Sequence, residues 1–261
     1  MVSKKIIEKN CLKKTQAYIP YANKHSKYVL NLLNGEVIES ERPDFLIKND
    51  KETIGVEHFL IDTLIGEKKA SRSRLRQSEI NRTFNRFHDD LDGNEEKALR
   101  SIESIVQADV DAVQKFDYGK FIKEFERIVN DHVSKVGDYK KIQGTSFKTM
   151  FLIEIPIAKN KMIGINRKFD KEIIKGRRFP ITDEMLRILR RISADVDYIV
   201  ISSMHENYKT ISFAVYTFDC KCFEESIAPQ VNDIYYKFTY DWQLSPIKAV
   251  VELNLEESKN I

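Results

Sequence analysis

Cysteine is scarce in this 261-residue chain: there are three, Cys11, Cys220 and Cys222. An odd, sparse set of this kind argues against a disulfide framework. Cys220-Lys221-Cys222 lacks the spacing of a zinc knuckle, and no second pair accompanies it. Long apolar runs are also missing. The strongest, Met150 to Ile157, is broken by Glu154 and Pro156 well short of a membrane span. No basic-apolar-small signal pattern follows Met1-Val2-Ser3-Lys4-Lys5, so the expectation is a cytoplasmic protein with no membrane partner. There is no internal repeat and no low-complexity tract. A glycine-rich phosphate loop is absent, which argues against nucleoside-triphosphate hydrolysis. A Gly-x-Ser-x-Gly elbow is absent too, as is any His-x-x-x-His pair among His25, His58, His88, His132 and His205.

What is present is a hydrophobic fraction of 42% beside a charged fraction of 32%, too apolar for a disordered chain. The length suits one core, or one core with a helical insertion. Net charge is only +3, from 43 Lys and Arg against 40 Asp and Glu, but it is unevenly spread. Residues 67 to 86 carry seven basic side chains (Lys68, Lys69, Arg72, Arg74, Arg76, Arg82, Arg86) against Glu67 and Glu79. Residues 159 to 178 carry eight (Lys159, Lys161, Arg167, Lys168, Lys171, Lys175, Arg177, Arg178) against Asp170 and Glu172. Local excess of this kind neutralises phosphates, and it also serves as an ordinary solvated face.

The apolar spacing predicts a helix over Asn23 to Leu33, with Val29, Leu32 and Leu33 as its stripe and Tyr28 alongside, ended by Asn34-Gly35. Asp44 to Lys48 and Thr53 to Ile61 read as a hairpin around Asn49-Asp50-Lys51. Helical spacing follows in three blocks: Ile80 to Leu91, Leu99 to Val106, and Phe121 to Val133. Thr149 to Ile157 is a strand, and Thr182 caps a helix running to about Ile192. Val196 to Ser202 and Thr210 to Phe218 are two further strands, and the last forty residues are ambiguous. Helices between strands imply crossovers and a mixed α/β sheet flanked by helices. The expected organisation is a core begun by residues 1–66, a helical insertion over 67–140, and the remainder of the core with a C-terminal extension over 141–261.

The chemistry lies in Pro43-Asp44 and Gly55-Val56-Glu57. Asp44 opens its strand after a proline, where no ladder donor is required. In the returning strand Gly55, Glu57, Phe59 and Ile61 share a face, so an in-register hairpin brings Asp44 and Glu57 together. Adjacent carboxylates repel, and burying them is costly unless positive charge intervenes. Mg²⁺ or Mn²⁺ suits such an all-oxygen site.

Pro-Asp, a short spacer and Gly-Val-Glu in a returning strand resemble the PD-(D/E)xK nuclease superfamily, whose members share a restriction-endonuclease-like α/β core. The motif covers residues 43 to 59; the element order extends it more weakly over about residues 23 to 218. The resemblance implies a metal-dependent DNA nuclease, of a kind found in phage defence and mobile elements, with Asp44 and Glu57 as metal ligands. It places a lysine two residues after Glu57, where this chain has Phe59. Divergent members draw that cation from elsewhere, and Lys68 and Lys69 are the candidates. His58 adjoins the pair but should point to the opposite face. The first helix often adds an acid; Asn23 to Leu33 has none, leaving Glu8, Glu36, Glu39 and Glu41. Glu154 is expected at an edge or facing solvent. Arg72, Arg74, Arg76, Arg177 and Arg178 would grip phosphates, with RNA as the alternative substrate, and a two-fold dimer would suit double-strand cleavage. Two rival readings are an inactive nuclease-like binding module and a helical protein-interaction protein.

Overall fold

The computed structural model describes residues 4–49, 52–62, 116–143, 147–156, 161–174, 179–206, 211–228 and 234–241. The chain opens on α1 (Lys4–Ala17), whose buried side chains Glu8, Cys11, Leu12 and Thr15 recur at one helical face. A 3₁₀ turn (Ile19–Tyr21) leads into α2 (Lys24–Asn31). Asn23 caps α2: its side-chain oxygen accepts from the Ser26 backbone N–H at 2.9 Å. Val29 and Leu30 are buried on α2 and Leu33 follows, but Tyr28 is 56% exposed. The expectation placed Tyr28 beside the stripe; it lies one residue before Val29 and projects past the packed side.

Three antiparallel strands follow: β1 (Glu36–Glu39), β2 (Phe45–Lys48) and β3 (Thr53–Leu60). The connection from β3 ends in α3 (Tyr118–Gln143), which leads to β4 (Phe147–Glu154). After the small strands β5 (Lys161–Ile165), β6 (Lys171–Ile173) and β7 (Ile181–Thr182) come α4 (Asp183–Ile192), β8 (Tyr198–Glu206) and β9 (Ile211–Asp219). A 3₁₀ turn (Cys220–Cys222), α5 (Phe223–Ile227), β10 (Ile234–Tyr235) and β11 (Lys237–Asp241) complete the described chain.

The main sheet has six strands in the order β1-β2-β3-β4-β8-β9. β3 pairs parallel with β4, and β4 parallel with β8; the remaining neighbours are antiparallel. Parallel pairs need crossovers, and α3 and α4 lie in those connections. Val56 and Ile54 on β3, with Met150, Leu152 and Val200, pack with Leu12 of α1 and Val29, Leu30 and Leu33 around α2. The alternate residues Phe59, Phe151, Ile153, Ile199 and Ile201 pack with Phe121, Phe125 and Val129 of α3 and Met185 and Leu189 of α4. The centre of the sheet is therefore covered on both faces, and β3 and β4 are buried almost without alternation.

The fold is thus mixed α/β, a central sheet flanked by helices, as the element order implies. α4 follows the capping expectation: Thr182 Oγ1 accepts from the Met185 N–H at 3.3 Å. Asp183 and Glu184 in its first turn and Arg190 and Arg191 in its last complement the helix dipole. Residues 118–140, the described end of the expected helical insertion, form most of α3, which packs on the sheet. The helical blocks expected over residues 80 to 106 lie outside the described residues. Two smaller sheets, β11-β5-β6 and β10-β7, share no strand with the main one but contribute Met162, Ile181 and Phe238 to the core under α3. Among the described residues, no helix is long and apolar enough to cross a membrane.

Candidate metal centre

β2 and β3 pair with Phe45 opposite Val56 and Leu46 opposite Gly55. One step further along the ladder, Asp44 stands opposite Glu57. Phe45 and Ile47 point to the α1–α2 face with Ile54 and Val56. By alternation Asp44 and Glu57 point to the other face, under α3. Asp44 is half-buried and anchored: its Oδ2 accepts the His58 backbone N–H at 2.8 Å. Glu57 is buried, with only 6% of its surface exposed. The hairpin register therefore sets the two predicted carboxylates on the same face, at neighbouring positions.

Gly55 helps to set this geometry. It shares the face of Glu57, and the space a Cβ would take is filled by the Phe147 ring and by Pro43 Cγ, 2.7 Å from that position. Pro43 is thereby packed down onto β3, which fixes the point where Asp44 begins its strand.

α3 supplies what surrounds the carboxylates. Its inward stripe runs Phe121, Phe125, Val129, His132, Val136 and Tyr139. His132 Nδ1 lies 2.8 Å from Glu57 Oε1. The imidazole stacks on Phe59 at 4.1 Å between centroids, tilted by 10°, and meets the edge of Phe151. Tyr139, one turn further along the helix from Val136, is close enough to both carboxylates to feel their charge. Burial pushes the Tyr139 phenol above its ordinary range, and the charges of Glu57 and Asp44 push it the same way. At the position where the resemblance called for a lysine, Phe59 thus offers a flat face that holds an imidazole against Glu57.

A second constellation occupies the opposite face. His58 alternates away from Glu57, as expected, and its Nε2 lies 2.9 Å from Glu154 Oε2. Glu154 ends β4 in the middle of the sheet and is only 8% exposed, which corrects the edge or solvent-facing expectation. The reason is topological: β8 pairs with β4 as far as Ser202 opposite Glu154, and α1 covers that end. Cys11 of α1 completes the group.

Lys68, Lys69, Arg72, Arg74, Arg76, Arg177 and Arg178 lie outside the described residues. In the second basic segment Arg167 is committed to Asp183 at 2.6 Å, while Lys168 and Lys171 are exposed. Of the candidate further acids, Glu36 and Glu41 are exposed and Glu39 pairs with Lys9 at 2.6 Å. Glu8 is buried on α1, the helix that covers the other face from Asp44 and Glu57. Cys220 and Cys222 sit in the turn after β9, both thiols raised in pKa chiefly by burial.

His132, Tyr139 and Cys11 escaped the motif-based reading as site residues, and Glu154 was weighed but placed on the surface. A detectable sign existed for two of them: His132 and Tyr139 continue the i, i+3, i+4 spacing of the apolar stripe on α3, where a polar ring needs a partner. Comparison with protein-family models, with curated proteins and with solved structures yields no match, so the residues themselves carry the functional reading.

Proposed function

We propose that the chain is a Mg²⁺- or Mn²⁺-dependent nuclease acting on DNA, with Asp44 and Glu57 as the metal-holding carboxylates. The observation that carries this reading is the β2–β3 register, which puts both on one face of the hairpin, with Glu57 buried. Two carboxylate donors suit a hard divalent cation rather than a softer one. The order of three antiparallel strands, a crossover helix and a parallel strand supports a PD-(D/E)xK-like core.

Each residue has a separable task. Asp44 is positioned by the His58 N–H and Glu57 by His132. When bound, the metal lowers the pKa of a coordinated water and stabilises charge at the scissile phosphate. His132 takes the place of Lys68 and Lys69 as the leading substitute for the motif lysine, with Phe59 fixing its ring plane. Arg72, Arg74, Arg76, Arg177 and Arg178 would engage the phosphate backbone without reading sequence.

The test is incubation with plasmid and linear DNA in Mg²⁺ or Mn²⁺, repeated with Asp44→Ala and Glu57→Ala. The reading predicts cleavage by the wild type and none by either variant; cleavage surviving both substitutions rejects it. One observation favours a second reading: Glu57 is already paired with His132 and the motif lysine is missing. An inactive nucleic-acid-binding module of the same fold would bind DNA in a salt-sensitive manner and leave it intact.

A further inference from the structure

The Cys11, His58 and Glu154 group has no task in the proposed cleavage site. Its members come from three separate elements, α1, β3 and β4, and are 0%, 4% and 8% exposed. One ligand atom from each lies within 4.8 Å of the other two, and no other such group of three occurs among the described residues. A hydrogen bond accounts for His58 and Glu154 together. It does not require a thiol beside both of them in a packed interior.

We propose that Cys11, His58 and Glu154 form a structural zinc site that ties α1 to the centre of the sheet. The donor types select the ion. Sulfur and imidazole nitrogen disfavour Mg²⁺ and Ca²⁺, whereas Zn²⁺ accepts sulfur, nitrogen and carboxylate oxygen together. Charge supports the same choice: one thiolate and one carboxylate cancel a divalent cation beside a neutral imidazole, leaving no net charge to bury. Donors around a tetrahedral Zn²⁺ stand ~3.3–3.8 Å apart, so the cluster closes on an ion with side-chain shifts of about an ångström. The remaining position falls to a water or a hydroxyl; Thr15 Oγ1, which donates to the Cys11 carbonyl at 2.8 Å, and Ser202 Oγ, 3.5 Å from it, lie beside Cys11. The site does not depend on the nuclease reading. The two are joined only through His58, whose backbone N–H holds Asp44 while its ring faces Cys11.

The test uses the full chain carrying Cys220→Ser and Cys222→Ser, so that Cys11 is the sole thiol. Titration with Co²⁺ should give a near-ultraviolet thiolate-to-cobalt band and the visible bands of a tetrahedral ion, saturating at one equivalent and displaced by Zn²⁺. Zn²⁺ should raise the thermal midpoint and a chelator should lower it. Glu154→Gln should weaken Co²⁺ binding, and Cys11→Ser should abolish the thiolate band. A Cys220→Ser/Cys222→Ser protein that folds but shows no thiolate band, with a midpoint unmoved by Zn²⁺ or chelator, overturns the proposal even if Cys11→Ser proves insoluble. Asp44→Ala separates the two sites: it should end Mg²⁺-dependent cleavage and keep the cobalt spectrum.

Discussion

Gly55→Ala is the sharpest probe of how the β2–β3 hairpin is assembled. The new methyl would overlap the Phe147 ring and lie 2.7 Å from Pro43 Cγ. Phe147 is 4% exposed and Pro43 is a rigid ring, so neither yields as the tip of a flexible chain would. Overpacking of this kind costs about 1–3 kcal/mol, and the rigidity of both neighbours places it toward the upper end. Removing glycine's backbone freedom from a strand returns roughly 0.5–1 kcal/mol. The net expectation is a destabilisation of about 2 kcal/mol, which for a chain of this size lowers the thermal midpoint by roughly 4–8 °C. Urea unfolding supplies the free energy and calorimetry the midpoint. The partner variant Phe147→Leu should cost about 1 kcal/mol alone by leaving a small cavity. Combined, the two should be less destabilising than their sum by roughly 1 kcal/mol, because the shorter side chain makes room for the methyl. A Gly55→Ala protein within about 0.5 kcal/mol of wild type, or strict additivity in the double variant, would refute the packing argument.

Thr182→Ala should cost about 1–2 kcal/mol, since Thr182 Oγ1 caps α4 and also accepts from the Tyr118 hydroxyl at 2.9 Å; Thr182→Ser should recover most of it in urea unfolding. Phe59→Leu removes the ring stacked on His132 and should lower stability by about 1 kcal/mol. If His132 serves Glu57 in cleavage, the same variant should also slow the reaction under conditions where the protein remains folded. The Arg127 guanidinium holds the Glu124 carboxyl below the usual carboxylate range. That contribution is present above roughly pH 4.3, the unfolded value, and is lost as pH falls through the depressed folded value. Arg127→Ala should therefore be about 0.3–0.5 kcal/mol less stable than wild type at neutral pH, given the solvent exposure of the pair. The gap should close as pH is taken below that depressed folded value, and a gap unchanged through the acid range would contradict the ion-pair origin.

The hairpin was legible because its information is local. Proline and β-branched residues bracket a short turn, and alternation alone puts Asp44 and Glu57 on one face. Thr182 and α4 were legible for the same reason. α1 was missed because Glu8 and Thr15 occupy half of its buried face, so its apolar stripe is too thin to register by spacing. β1 was missed because it is an exposed edge strand of four residues with no alternation to read. Glu154 was misread because burial at a strand end depends on which strands flank it. That follows from the β4–β8 pairing and from α1, both distant in sequence. His132 lies 75 residues from Glu57, and only the crossover of α3 over β3 unites them.

The account stands on Asp44 and Glu57 sharing a metal ion. The most direct measurement is anomalous diffraction from crystals of the protein soaked in Mn²⁺, repeated with Glu57→Ala. The account predicts a manganese peak within bonding distance of both carboxylates on the α3 side of the sheet, absent from the variant. No peak there in the wild type, or a peak that persists unchanged without Glu57, would contradict it.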